Sequence, residues 1–173
     1  MTPIGPAGAY NYLPGGCSQP GTYVSGRRQV KFLAQDLTGY TTLSPNSAGR
    51  WNAAGSTVTF VAASTNYAVY ASESNFGASG YDGITFSGEC GNDGLFVPIT
   101  QSWGNTYYMG SYANGKRYSV MVHELGHALG LDHNEDHGNC TVVQIMYSGS
   151  SRYDNCGVEY PKSDDVSGVN SLY

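Results

Sequence analysis

The stretch HELGHALGLDH, residues 123–133, decides how the rest of the chain is read. On a helix, residues four apart are turned by about 400°, so His123 and His127 leave one face a single turn apart. Two imidazoles at that separation reach one zinc ion at about 2.0–2.1 Å each. Glu124 lies about 100° round from His123, beside such an ion rather than on it. That is where a base takes a proton from a water held at the metal. Val120, Val122, Leu125, Ala128 and Leu129 fill the other faces, which predicts a core helix over residues 117–129.

Gly130 explains the third ligand, His133. A helix continued past this point would carry residue 133 away from the ion. Glycine takes the left-handed conformation that ends a helix and turns the chain, so His133 folds back to the metal. Three protein ligands leave the fourth tetrahedral position for water, the mark of a catalytic site. Three of only four histidines fall in this stretch. A bare HExxH also arises by accident on solvated helix faces; the continuation through Gly130 to His133 weighs against that reading. The remaining histidine, His137, sits beside Glu135 and Asp136 and reads as a surface residue.

On the C-terminal side, residues 163–173 predict a second helix. Ser163 is placed to cap it, Asp164 and Asp165 suit its positive end, and Val166, Val169 and Leu172 recur at helical spacing. On the N-terminal side, residues 29–33 (QVKFL), 57–62 (TVTFVA), 67–71 (YAVYA) and 95–100 (LFVPIT) predict strands. Pro98 demotes the end of the last one. Ser44-Pro45 reads as a cap and first residue of a short helix to about residue 54, with Leu43 and Trp51 facing the sheet. Residues 84–86 form a short apolar piece, and residues 103–115 read as a Tyr-rich loop or hairpin. Strands first and helices later indicate an α+β fold, one sheet backed by helices, in a single domain over residues 1–173.

Cys17, Cys90, Cys140 and Cys156 show no CxxC spacing, so two disulfides are expected rather than a cysteine metal site. Three connectivities are open; Cys140–Cys156 with Cys17–Cys90 is preferred, because the first closes a local loop worth roughly 3 kcal/mol. A free, buried thiol is the competing reading. The net charge of −5 leaves no basic face for nucleic acid or anionic lipid. Only 12% of residues are charged, so solubility rests on Ser, Thr, Asn, Gly and the 15 tyrosines. No apolar run approaches the ~18 residues of a membrane span. No signal peptide is visible, so secretion is expected from cysteines and composition, the chain being a mature form.

HELGHALGLDH matches the long zinc signature HExxHxxGxxH of the metzincin metallopeptidases. Gln144-Ile145-Met146-Tyr147 resembles that clan's Met-turn, in which a methionine underlies the ligands; by spacing alone Met146 reads equally as a core residue. The C-terminal SDDVSGVNSLY and Tyr147 are similar to the matrixins. The cysteine pair round the Met-turn, the small size and the Gly-rich middle resemble the bacterial snapalysin-type proteases, which carry Asp where this chain has His133. The resemblance covers residues 120–173 and implies a matrixin-like metzincin of a small bacterial branch, with a mixed sheet, an active-site helix, a Met-turn and a C-terminal helix. It implies a sheet subdomain to about residue 130 and a C-terminal subdomain over residues 131–173, with Asp164 and Asp165 bonding near the Met-turn.

Departures are equally specific. The histidines of the matrixins' second, structural zinc are missing, so one zinc is expected. Asp82, Glu89, Asn92 and Asp93 form no recognisable calcium loop and read as a solvated turn. Ser148 stands where astacin-like enzymes carry a tyrosine ligand. The propeptide switch PRCGxPD is absent, and Cys17 in GGCSQPG does not match it.

The reading is a secreted, monomeric zinc endopeptidase hydrolysing internal peptide bonds, with His123, His127 and His133 on zinc and Glu124 as general base to a zinc-activated water. The substrate is expected as an extended strand along residues 84–86 or 107–112. Its specificity pocket is expected behind the zinc, walled by the Met-turn and residues 148–158. The alternatives are a peptidase confined to short peptides and a secreted binding module that keeps zinc for stability alone; Glu124 and Gly130 argue against the latter.

Overall fold

A computed structural model describes residues 10–135 and 139–173. Asn11–Tyr12 (β1) pairs antiparallel with Leu131–Asp132 (β10), which follows the long helix. Thr22–Val24 (β2) folds back on Arg27–Gln35 (β3), whose alternation turns Val30 and Phe32 inward.

Leu43–Ala53 (α1) comes next, and Ser44 is not its cap. Thr42 takes that position at φ 75° and makes no side-chain capping bond. The Ser44 N–H is met instead by Asp36, whose carboxylate oxygens lie 3.1 and 3.2 Å away. An acceptor eight residues back thus serves the orphan donor that a local cap usually serves.

Val58–Ala62 (β4), Val69–Ser74 (β5) and Gly83–Phe86 (β6) follow. Glu89–Cys90 (β7) pairs with Phe96–Val97 (β8). Pro98 then separates β8 from Thr100–Asn105 (β9), so residues 95–100 are not one strand. Residues 103–105, expected in a loop, belong to β9. Their composition is poor for a strand, but Ser102, Gly104 and Asn105 are buried, and neighbouring strands on both sides override propensity. Thr106–Met109 (α2) is helical, so residues 107–112 offer no edge to a substrate; Asn105 accepts from the Tyr107 N–H and starts that helix. Asn114–Ala128 (α3), Ser151–Cys156 (α4) and Ser163–Leu172 (α5) complete the chain. At α5 the cap position is Lys162, not Ser163, and Asp165 accepts from the Lys162 N–H at 2.7 Å.

In the main sheet β4, β3, β5, β9 and β6 lie side by side. Phe32 pairs Ala62 on one side and Val69 on the other. The first four strands are parallel, and β6 closes the edge antiparallel to β9. Helices α1 and α3 cover one face. The core joins Val30, Phe32, Phe60, Val69 and Ala71 to Leu43 and Trp51 of α1 and to Val122, Leu125 and Leu129 around α3. The Trp51 indole N–H donates to the Val122 carbonyl at 2.9 Å, locking the two helices together. The four cysteines form two disulfides, Cys17–Cys90 and Cys140–Cys156. No helix among the described residues is long and apolar enough to cross a membrane.

Candidate metal centre

The buried face of α3 carries His123 and His127 one turn apart. Gly130 ends the helical run at φ +96°, and any side chain there would strike the Cys17 carbonyl oxygen. β10 then returns the chain. The three Nε2 atoms converge: His123 to His127 3.0 Å, His127 to His133 3.1 Å, His123 to His133 3.2 Å.

Backbone carbonyls fix two of the rings. His123 Nδ1 lies 2.8 Å from the Ile145 oxygen and His127 Nδ1 2.8 Å from the Leu131 oxygen. A carbonyl only accepts, so both Nδ1 atoms carry the proton and both Nε2 atoms present lone pairs. Burial drives the His123 pKa well below its usual value, with nearby Arg152 adding to the effect, and lowers His127 to about 4. Both rings are therefore neutral, with Nε2 lone pairs facing each other at 3.0 Å. That contact is repulsive unless a cation sits between them. A tetrahedral ion with bonds of about 2.0–2.1 Å holds its ligands about 3.3–3.4 Å apart, close to the observed triangle. The site fits zinc. Among the described residues this is the one group of three ligating side chains within 4.8 Å of one another.

Glu124 projects beside the triangle, 5% exposed. The Thr85 hydroxyl of β6 lies 2.8 Å from its Oε2, and Ser102 Oγ donates to its backbone oxygen at 3.2 Å. Burial raises the carboxyl to about 7, with Thr85 and Arg152 acting in the opposite direction. A Cβ on Gly83 would sit 2.7 Å from Glu124 Oε1, so glycine at this point of the edge strand keeps the carboxylate in place. Beneath the ligands, Met146 is 2% exposed and its thioether faces Gly126 of α3. Asp165 accepts from the Ile145 and Met146 N–H groups at 3.1 and 3.2 Å, so α5 holds the turn whose carbonyl orients His123. Burial lifts Asp165 to about 6, against the pull of these two N–H donors and that of Lys162. Asp164 accepts from Asn134 at 2.9 Å.

A cavity of about 450 Å³ opens on the histidines and Glu124, walled by β6, Ser148, Gly149, Ser150 and Arg152. The residues read from the sequence as one site are thus brought together; His137 lies outside the described residues. Asp82 also reaches the cavity and accepts from the Tyr112 hydroxyl at 2.9 Å. Asp93 serves its own turn, accepting from the Leu95 N–H at 3.1 Å. Thr85, Gly83, Asp82 and Arg152 escaped sequence reasoning as site residues. Thr85 carried a signal through its place in the short apolar piece at residues 84–86, and Arg152 through its place in residues 148–158, expected to wall the pocket.

Comparison with known proteins agrees with this geometry. Rabbit (Oryctolagus cuniculus) macrophage metalloelastase is 40% identical over 63 residues, 36% of this chain and 12% of that protein. Chicken (Gallus gallus) 72 kDa type IV collagenase is 33% identical over 97 residues, 54% of this chain and 13% of that protein. The chain therefore matches only about an eighth of the length of these relatives. Among solved structures, high choriolytic enzyme 1, a hatching-enzyme zinc protease of the medaka fish Oryzias latipes, superposes with a TM-score of 0.53. At 15% identity, covering 95% of this chain and 98% of that one, it shares the fold. The matrixin family profile matches residues 48–173, which takes in the second half of α1, strands β4, β5, β6 and β9 of the main sheet, all three histidines and α5. The chain belongs to the matrixin family of metallopeptidases.

Proposed function

We propose that this chain is a secreted zinc endopeptidase in which His123, His127 and His133 hold the ion and Glu124 is the catalytic base. The observation that carries this reading is the convergence of three Nε2 atoms within 3.2 Å of one another, beside a buried carboxyl in an open cavity. Zinc bound there supplies Lewis acidity, polarising a carbonyl and lowering the pKa of water to about 7. Glu124 takes the proton of the attacking water and returns it to the departing amine nitrogen. A carboxyl whose pKa sits near 7 suits both halves of that exchange, since neither protonation state is costly at neutral pH. The Thr85 hydroxyl fixes the Glu124 rotamer from the edge strand.

The substrate lies extended along β6, which pairs β9 on one side only among the described residues. Met146 and Asp165 support the ligands from below. The two disulfides suit an oxidising compartment. We read residues 1–173 as one catalytic unit, with the sheet up to about residue 130 above the cleft and the remainder below it.

Casein hydrolysis with metal analysis tests the reading. The expected result is one zinc per chain, cleavage abolished by a chelator, and recovery on adding zinc. Cleavage that continues in metal-free protein would sink it.

A further inference from the structure

Arg152 is the buried charge that the reaction leaves unused. It is 3% exposed. Its Nη1 donates to the carbonyls of Tyr147 and Gly149, both at 3.0 Å, and Nη2 to that of Ser119 at 2.8 Å. These bonds use three of its five N–H groups, and the Nε–H, shut off from solvent, has no acceptor among the described residues. The ion pairs among the described residues are Arg50–Glu159 and Lys116–Asp154, so no carboxylate there lies within pairing distance of this guanidinium. Carbonyls replace part of its lost hydration but bring no countercharge, and an unpaired buried cation is costly.

The nearest acids are committed elsewhere. Asp82 accepts from Tyr112, Glu124 from Thr85, and Asp165 from the N–H groups of Ile145, Met146 and Lys162. They favour the Arg152 charge from a distance without meeting it. Arg152 also lines the cavity that holds the histidines, on a wall shared with Ser148 and Ser150. A pocket built to accept an apolar side chain gains nothing from a buried cation with a spare N–H. Removing charge from water beside a substrate is repaid only when the substrate supplies the opposite charge.

We propose that Arg152 is a specificity-determining residue, and that the pocket beside the metal takes the carboxylate side chain of an aspartate or glutamate adjoining the scissile bond. This rests on the protease reading above. The substrate carboxylate provides the missing countercharge at the cavity wall that Arg152 lines.

The test is a set of quenched fluorescent peptides that differ only at the residue on either side of the scissile bond, with Glu against Gln, Asp against Asn, and Leu as the apolar reference. At one of the two positions, the wild-type protein is expected to show kcat/KM at least about tenfold higher for an acid than for its amide, the difference expected of a charge-assisted bond over a neutral one. In Arg152→Gln the acid-to-amide ratio falls toward one. The ratio is internal to each preparation, so partial loss of folded protein does not disturb it. Should that variant fail to fold, the wild-type ratios decide alone. Ratios near one at both positions, or a preference for Leu over the acids, overturn the proposal. Chelator-sensitive casein cleavage in the same preparation separates the two layers. Casein cleaved with flat ratios refutes the role of Arg152 and leaves the protease reading intact, whereas no cleavage of casein or peptides refutes both.

Discussion

Between the β3–β4 half of the sheet and α1 the interior is built from Phe32, Phe60, Leu43 and Trp51. Around α3 and α5 it holds His123, Glu124, Arg152 and Asp165, each at most 5% exposed. The first region is stabilised by apolar area removed from water, roughly 25 cal/mol per Å². The second buries groups that cost free energy unless each finds a partner. Most do: His123 has the Ile145 carbonyl, Asp165 has three N–H groups, and Arg152 has three carbonyls. At the cavity, the face-to-face Nε2 atoms lack a partner between them, and Arg152, which lines it, lacks a paired carboxylate among the described residues.

The sharpest way to break this contrast is Glu124→Gln. Turnover of casein should fall by about 10²–10⁴-fold while zinc content and urea midpoint stay near wild type. Retained turnover would remove Glu124 from the chemistry. In the apolar region, Phe60→Ala should lower stability by about 3–5 kcal/mol in urea unfolding, with zinc content per folded molecule unchanged. A large loss of zinc would mean that the two regions are not separable.

Asp165→Asn probes the polar side. Its amide cannot serve the Ile145, Met146 and Lys162 N–H groups as a carboxylate does. Stability should drop by about 2–3 kcal/mol, and zinc affinity, measured against a competing chelator, by about tenfold. Unchanged affinity would make the network scaffolding alone.

The smallest effect, per unit of pH, comes from a buried acid on the sheet side. Glu73 is 2% exposed, and burial together with nearby Asp36 raises its pKa to about 8, although the Leu37 N–H at 2.9 Å pulls it down. Its Oε1 has no partner. Between pH 5 and 8 the folded protein thus holds a proton that the unfolded chain releases. Stability is greatest below that window and declines as pH rises through it, by at most about 1.4 kcal/mol per pH unit. Glu73→Gln should remove that component of the slope in thermal melts collected across pH. Parallel slopes in the two proteins would show that Glu73 does not carry the proton.

Legibility in the sequence follows the range of the forces involved. α3 was readable because a 3.6-residue period and the ligand spacing coincide over residues 117–129. The first turn of α1 was misread because its donor is served by Asp36, which no local rule connects to Ser44. Beyond Thr100, β9 is not legible because Ser102, Gly104 and Asn105 look like a loop until β5 and β6 enclose them.

The sequence by itself determined the spacing of the three histidines, the carboxyl beside them and the turn at Gly130, since all lie within eleven residues where covalent geometry sets the separations. Only the tertiary structure decided that the Ile145 carbonyl aims His123, that Asp165 holds that carbonyl, that Thr85 fixes Glu124, and that Arg152 reaches the cavity. The partners in these contacts stand 20 or more residues apart. Arg152 faces inward because α4 packs on α3, where the Ser119 carbonyl, 33 residues away, receives it. Contacts of that separation are set by how elements pack, which no local pattern encodes.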